Sequence, residues 1–255
     1  MLKTLGHIQL NFSNNVAYVY DLMNFDELVL DYAIKSIEDL TGKLKKMGID
    51  NPRLTAESTL SSLKNIHSNN SLKPKYQTIF NQCIVLLVAY FSSTVSDIFK
   101  VALKEKLCKG ELGQLSKEEV KISLGELRDM DFNLSEYIGD VVANKKEISF
   151  QDMQSITRAF KEYLGVEIQK DTVVNNIIVG QASRHAFVHS GGTIDARLLK
   201  QISNATPRDI KETCNLGDTI TFSTEEITMV AESMKKYIEK AITQIEHVGQ
   251  DWCKQ

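Results

Sequence analysis

Arg184, His185 and His189 fall within the six residues RHAFVH. The whole chain of 255 residues holds only five histidines, so two beside an arginine call for a reason. A histidine can accept or donate a proton near neutral pH. An arginine is permanently charged and presents a planar fork of donors that suits a phosphate. Together these groups could hold a phosphodiester, move a proton at it and stabilise the charge of its transition state.

The element that must position them is a helix predicted from the run VVNNIIVGQASRHAFVH. At ~100° per residue, Val174, Ile177, Ile178 and Val188 share one stripe. His185 and His189 lie on that stripe, and Arg184 borders it beside Ile177. A stripe that should face inward thus ends in groups that are costly to bury unpaired. Either an internal hydrogen-bond network serves them or this end of the helix opens onto a cleft or a partner. Gly191-Gly192 is a helix stop, which puts His189 in the last turn, where the carbonyl ends favour a cation. Arg184 and His189 are about 140° apart around an ideal helix. One helix does not aim both at one atom, whereas two copies about a two-fold axis would bring them together. A homodimer with a composite site is the expectation.

Around this helix the sequence predicts others. Leu30, Ile34, Ile37, Leu40, Leu44 and Met47 recur every three or four positions from Asp26, and Gly48 stops the pattern. A shorter helix is expected from Leu54 to Ile66. HSNNSLKPK, from His67 to Lys75, is polar and contains Pro74, so it reads as a linker. It divides residues 1–72, an N-terminal helical extension, from 73–255, the main helical domain. That domain opens with a long helix from Lys75 to Leu107. Further helical segments follow at Val120–Met130 and Leu134–Ala143. KKEISFQDMQSITRAFKEYLG reads as an extended stretch leading into a helix that Gly165 ends. DTITF is a brief strand or extended connector, and Ser223 with Glu226 forms a capping-box pattern before a last helix through Val248.

Composition agrees with an all-α chain: three prolines in the sequence leave room for long helices. The net charge of −3 gives no broad basic surface, so a polyanion would need a local patch. Between Gln181 and Lys211 there is one: Arg184, Arg197, Lys200, Arg208 and Lys211 stand against Asp195 and Asp209. The lysines of 43–46 and Lys145-Lys146 read as solvated faces. Cys83, Cys108, Cys214 and Cys253 show neither zinc nor redox spacing, and reduced thiols in a cytoplasmic protein are expected. CIVLLVAYF, Cys83–Phe91, is far below the ~20 residues of a membrane span and reads as a buried bundle helix, so no membrane association is expected.

RHAFVHSGG, with its polar residue directly after the arginine, resembles the R-x-x-x-x-H signature of the HEPN superfamily (higher eukaryotes and prokaryotes nucleotide-binding domain). The resemblance extends to the long apolar helix before the motif, the EISF segment and GGTID after it, over roughly Lys75 to Val248. It implies an all-α HEPN-type bundle and a metal-independent, cofactor-free endoribonuclease that works as a dimer on RNA. Such enzymes belong to toxin–antitoxin or anti-phage defence systems, which implies an antitoxin or defence-system partner. The RNA 2′-hydroxyl attacks the adjacent phosphate and leaves a 2′,3′-cyclic phosphate and a 5′-hydroxyl. By the same resemblance His189 is the acid/base and Arg184 binds the phosphate; Arg197, from the local basic run, is a further substrate-binding candidate. His185 orients the pair.

The chain departs from the family's pattern at two places. Gly191 stands where some HEPN toxins carry a modifiable tyrosine. NNIIVGQAS, before the arginine, lacks the acidic residue often found there, so a supporting carboxylate must come from elsewhere. A catalytically silent HEPN-like association module is the alternative. A third reading takes His185 and His189 as an i, i+4 metal pair, with Asp195 as the nearest further ligand.

Overall fold

The computed structural model describes residues 1–49, 51, 56–69, 76–110, 112–117 and 119–252. The expected boundary between 72 and 73, Pro74 and Cys253 lie outside them. Among the described residues the chain is all-α: α1 Leu2–Met23, α2 Phe25–Lys46, α3 Glu57–Ser68, α4 Gln77–Cys108, α5 Leu124–Asp129, α6 Leu134–Lys145, α7 Met153–Ala159, α8 Thr172–His189, α9 Ala196–Ile202 and α10 Thr224–Asp251. The connector DTITF forms no strand. It makes an isolated antiparallel bridge, Thr193 with Thr219, which ties it to the segment after α8.

The core lies between α4, α8 and α10, with α1 and α6 laid against α4. Cys83, Ile84, Leu87, Val88, Phe91, Val95, Ile98 and Phe99 are all buried in α4, so its apolar run is spent on the core. At ~25 cal/mol per Å² of apolar surface removed from water, such residues supply the main stabilising term. The first helix was not legible as one, because its seven-residue spacing Leu5–Phe12–Val19 is diluted by polar residues; its Leu5, Phe12, Val16 and Val19 are nevertheless fully buried. In α2 only Thr41 is buried, and the ion pair Lys45–Glu57 at 2.8 Å and the contact of His67 Nε2 with Asp31 Oδ1 at 3.0 Å bind α2 to α3. The expected capping box starts α10: Glu226 N–H donates to Ser223 Oγ at 3.2 Å, and Ser223 N–H to Glu226 Oε2 at 3.0 Å.

One crossing depends on a missing side chain. A Cβ on Gly139 of α6 would lie 2.9 Å from both Cα and the carbonyl carbon of Lys100 in α4. Backbone cannot swing aside as a side chain can, so Gly139→Ala is expected to lower stability by about 1–3 kcal/mol. A fall in melting temperature checks it; an unchanged one means that α6 does not cross α4 this closely.

The stretch between 147 and 165 positions one wall of the site. Asp152 caps α7 by accepting from Ser155 N–H at 2.8 Å. After Ala159 the chain widens into one π turn, Phe160–Leu164, and Gly165 ends it at φ 74°. The wider turn sends Phe160, Tyr163 and Leu164 into the core and leaves Lys161 exposed. The Tyr163 carbonyl is met by Lys106 Nζ at 2.8 Å.

Candidate functional site

Helix α8 carries all three residues of the motif, and its surroundings correct the one-stripe expectation. From Val174 to Ser183 it is enclosed by α4, α9 and α10, with polar residues among those buried. Asn175 Nδ2 donates to the Pro207 carbonyl at 2.8 Å. Asn176 Nδ2 donates to Asp209 Oδ2 at 3.0 Å, and its Oδ1 accepts from Asp209 N–H at 3.0 Å. These amides anchor the 205–211 loop, so α8 is buried on polar as well as apolar faces rather than being a simple amphipathic helix. Val188 does not continue a buried stripe: it is 52 % exposed. The helix emerges at its C-terminal end because the chain runs out of neighbours there, and the motif occupies that emergent end.

Both ends of α8 are held. Asp171 accepts from Val174 N–H at 3.0 Å and pairs with Lys240 of α10 at 2.6 Å. At the other end Ser190 N–H and Gly192 N–H both donate to the Ala186 carbonyl, at 2.8 and 3.0 Å. Gly192 takes φ +82°, which favours glycine, and a Cβ there would press to 3.2 Å from the Phe187 ring, a tight contact that the ring would have to relieve. Ile220 N–H then donates to the Gly192 carbonyl at 2.8 Å and sets the path of the turn.

An open groove of 1040 Å³ runs along α8 between the 149–161 stretch and α9. Arg184, His185 and Arg197 line it; His189 does not, being exposed beside it with its ring centroid 4.4 Å from that of His185. Six basic side chains line the groove (Arg158, Lys161, Lys170, Arg184, Arg197, Lys200) against one acidic residue, Asp152, whose carboxylate is the α7 cap. The groove is therefore strongly cationic on a chain of net charge −3. Arg208 and Lys211, two of the five cations of the 181–211 stretch, serve the fold instead. Arg208 donates to the carbonyls of Ile202, Ala205, Lys211 and Glu212, and Lys211 pairs with Glu226 at 2.6 Å.

Arg184 is half-buried and held loosely. Its Nη1 donates to Gln151 Oε1 at 3.4 Å, and its buried Nε has no partner among the described residues. Its charge thus faces the groove with no carboxylate on it. For His185, burial first and then the positive charge of Arg197 hold the imidazole below its ordinary pKa; His189 and Arg184 push the same way and Asp195 opposes. Asp195 is the carboxylate nearest in effect: it caps α9 through Leu198 N–H at 2.7 Å and accepts from Ser190 Oγ at 3.5 Å. Among the described residues no three His, Cys, Asp or Glu side chains gather as a metal set.

A histidine pushed down in this way is neutral at pH 7, and its protonation on acidification opposes the fold. The native-state increment is complete above the unfolded value of about 6.5 and is lost as pH falls below it. NMR titration should place His185 below a free histidine. Arg197→Ala should move its midpoint up and Asp195→Asn should move it down; an unmoved midpoint in both would separate these side chains from His185.

The sequence singled out Arg184, His185, His189 and Arg197, of which three share the groove. It did not single out Arg158, Lys161, Lys170, Gln151 or Gln181. Arg158 and Lys161 stand three apart on a predicted helix, a legible basic pair, but nothing in the sequence told which way that pair faces.

The chain matches no protein-family model, no curated protein and no solved structure.

Proposed function

We propose that this chain is a metal-independent endoribonuclease of HEPN type, acting as a homodimer whose active site draws on the emergent ends of two α8 helices. The observation that carries this reading is a cationic groove into which Arg184 and His185 open, with the His189 ring against His185 at 4.4 Å. A cationic groove suits a polyanion, and an imidazole at its end suits proton transfer.

In the reaction the 2′-hydroxyl loses its proton as its oxygen bonds to phosphorus. The P–O5′ bond then breaks, and O5′ leaves with a proton as a 5′-hydroxyl. His189 moves the proton. Arg184 holds the non-bridging oxygens, whose charge grows in the transition state, with Arg197 on the same strand. His185, neutral at pH 7, orients the His189 ring through their tilted ring contact at 4.4 Å. Asp195 is the carboxylate of this end of the molecule, brought from beyond the motif by the turn at Gly191-Gly192. An antitoxin or defence-system partner that restrains the enzyme belongs to the same reading.

Purified chain incubated with RNA in EDTA tests it. Cleavage to 2′,3′-cyclic phosphate ends should persist in EDTA and disappear in His189→Ala and Arg184→Ala. Loss of cleavage in EDTA would favour a metal site at the two histidines. Cleavage surviving in both variants would move the chemistry elsewhere. A wild type that cuts no RNA would leave the association-module reading standing.

A further inference from the structure

We infer that the groove is a binding track for a single-stranded polynucleotide, reaching far beyond the Arg184 end, with Gln181 as a donor held in its floor. It rests on the ribonuclease reading only in taking the strand to be RNA.

Three observations lead there. The first is where the charge stands. Arg158 and Lys161 rise from one wall, Lys170 from the start of α8, and Lys200 from α9 opposite, all exposed and all outside the RHAFVH motif. Arg158, Arg197 and Lys200 make no side-chain hydrogen bond or ion pair among the described residues, so these charges are not consumed by the fold. Lys161 pairs with Glu167 at 2.8 Å and Lys170 donates to the Asn204 carbonyl, so phosphates of one strand would meet Arg158, Arg197 and Lys200 first, with Arg184 at the end of the track.

The second is the floor. Between the basic rims α8 presents Val174, Ile178 and Ala182, with Ile168 beside them. A duplex offers its phosphates outward and hides its base faces, so it has no use for an apolar floor. An unpaired strand turns its base faces to such a surface while its phosphates reach the rims.

The third is Gln181, only 8 % exposed and part of the groove lining. The Met153 N–H donates to its Oε1 at 3.0 Å, and because that partner is a donor the amide can sit only one way round. Its Nε2 is buried with no partner among the described residues. A buried donor left without an acceptor is costly, and an acceptor on a strand seated in the groove removes the cost. Nucleobases carry such acceptors, as carbonyl oxygens and ring nitrogens. Gln181, in the groove lining, is thereby assigned to a base contact, while the rims supply phosphate contacts.

Fluorescence anisotropy tests the track apart from the chemistry. The protein is the full chain with His189→Ala, so that the probe stays intact, in EDTA. The probes are a labelled oligouridine and its duplex with oligoadenine. The single strand should bind more tightly than the duplex. Arg158→Glu and Lys200→Glu should each weaken binding about tenfold and lower the slope of log K against log salt by about 0.7 per lost phosphate contact. Gln181→Met keeps the shape without the donor, and should weaken binding ~3- to 10-fold with the salt slope unchanged. Circular dichroism and melting temperature should be unmoved by the two exposed-site reversals. Equal affinity for the duplex, or salt slopes untouched by both reversals, overturns the track, and wild-type affinity in Gln181→Met overturns the role of Gln181. Reversals that split a dimer in sedimentation while leaving RNA affinity alone would make the groove an interface between copies and overturn the inference. A wild type that binds in the expected pattern but cuts no RNA would sink the ribonuclease reading and leave the track; cutting indifferent to groove reversals would do the opposite.

Discussion

Phe99→Ala should cost about 3–5 kcal/mol, the range for deleting a fully buried phenyl ring whose surroundings cannot collapse into the space. Phe99 is 0 % exposed, and three aromatic rings converge on it. Phe150 lies 5.4 Å away between centroids, Phe160 5.8 Å and Tyr163 5.9 Å, the last edge-on. Each ring comes from a different point of the 150–163 stretch, so filling the cavity would need α7 and the π turn to move as a body. That body carries Arg158 and Lys161. Equilibrium urea unfolding measures the loss, and the same variant should bind polyanions more weakly although no charge has changed. A destabilisation under about 1 kcal/mol would mean that the wall is not anchored at this ring.

His189→Ala should lower the rate of RNA cleavage by about 100- to 10,000-fold, the usual contribution of a positioned acid or base. His189 is exposed, so the same change should move stability by no more than about 0.5 kcal/mol. Single-turnover cleavage beside a melting curve separates the two effects. A variant that loses rate and fold together would make the residue structural. Arg184 should behave differently. Its Nε is buried without a partner, so Arg184→Ala removes an unsatisfied donor and should leave stability level or raise it while cleavage is lost. A residue that costs stability where it stands is what a binding group, as opposed to a structural one, produces. Arg184→Lys keeps the charge without the fork, and partial activity there would assign the remainder to two-point contact with the phosphate.

The expected helices were legible because their signals are local. Apolar spacing from Leu30 to Met47 gave α2, Ser223 with Glu226 gave the start of α10, and Gly165 and Gly191-Gly192 gave two stops. The first helix escaped because its buried positions stand among polar residues and among apolar ones that stay exposed, such as Leu10, Tyr18 and Leu22. The motif itself, Arg184, His185 and His189, needed only residue type and spacing to be noticed.

Which way those side chains look was not local. The stripe drawn through Ile177 and Val188 assumed that α8 has an inside and an outside, as a surface helix has. In the fold most of α8 is buried until Ser183 on all sides but the groove, and its buried asparagines are bonded to a loop more than thirty residues away. Periodicity cannot report that, because a helix buried on polar and apolar faces alike shows no single apolar stripe. Nor could net charge find the groove. Its cations come from α7, the π turn, the residue before the α8 cap, α8 itself and α9, far apart in sequence and interspersed with acids, while Arg208 and Lys211 look like site residues and are bound to the fold. Sequence alone determined an all-α chain with one cluster of ionisable residues at a glycine-stopped helix end. Tertiary packing alone decided that the motif would sit where α8 leaves the core, and that distant cations would meet it there, since burial and electrostatic potential are sums over neighbours that only the folded chain supplies.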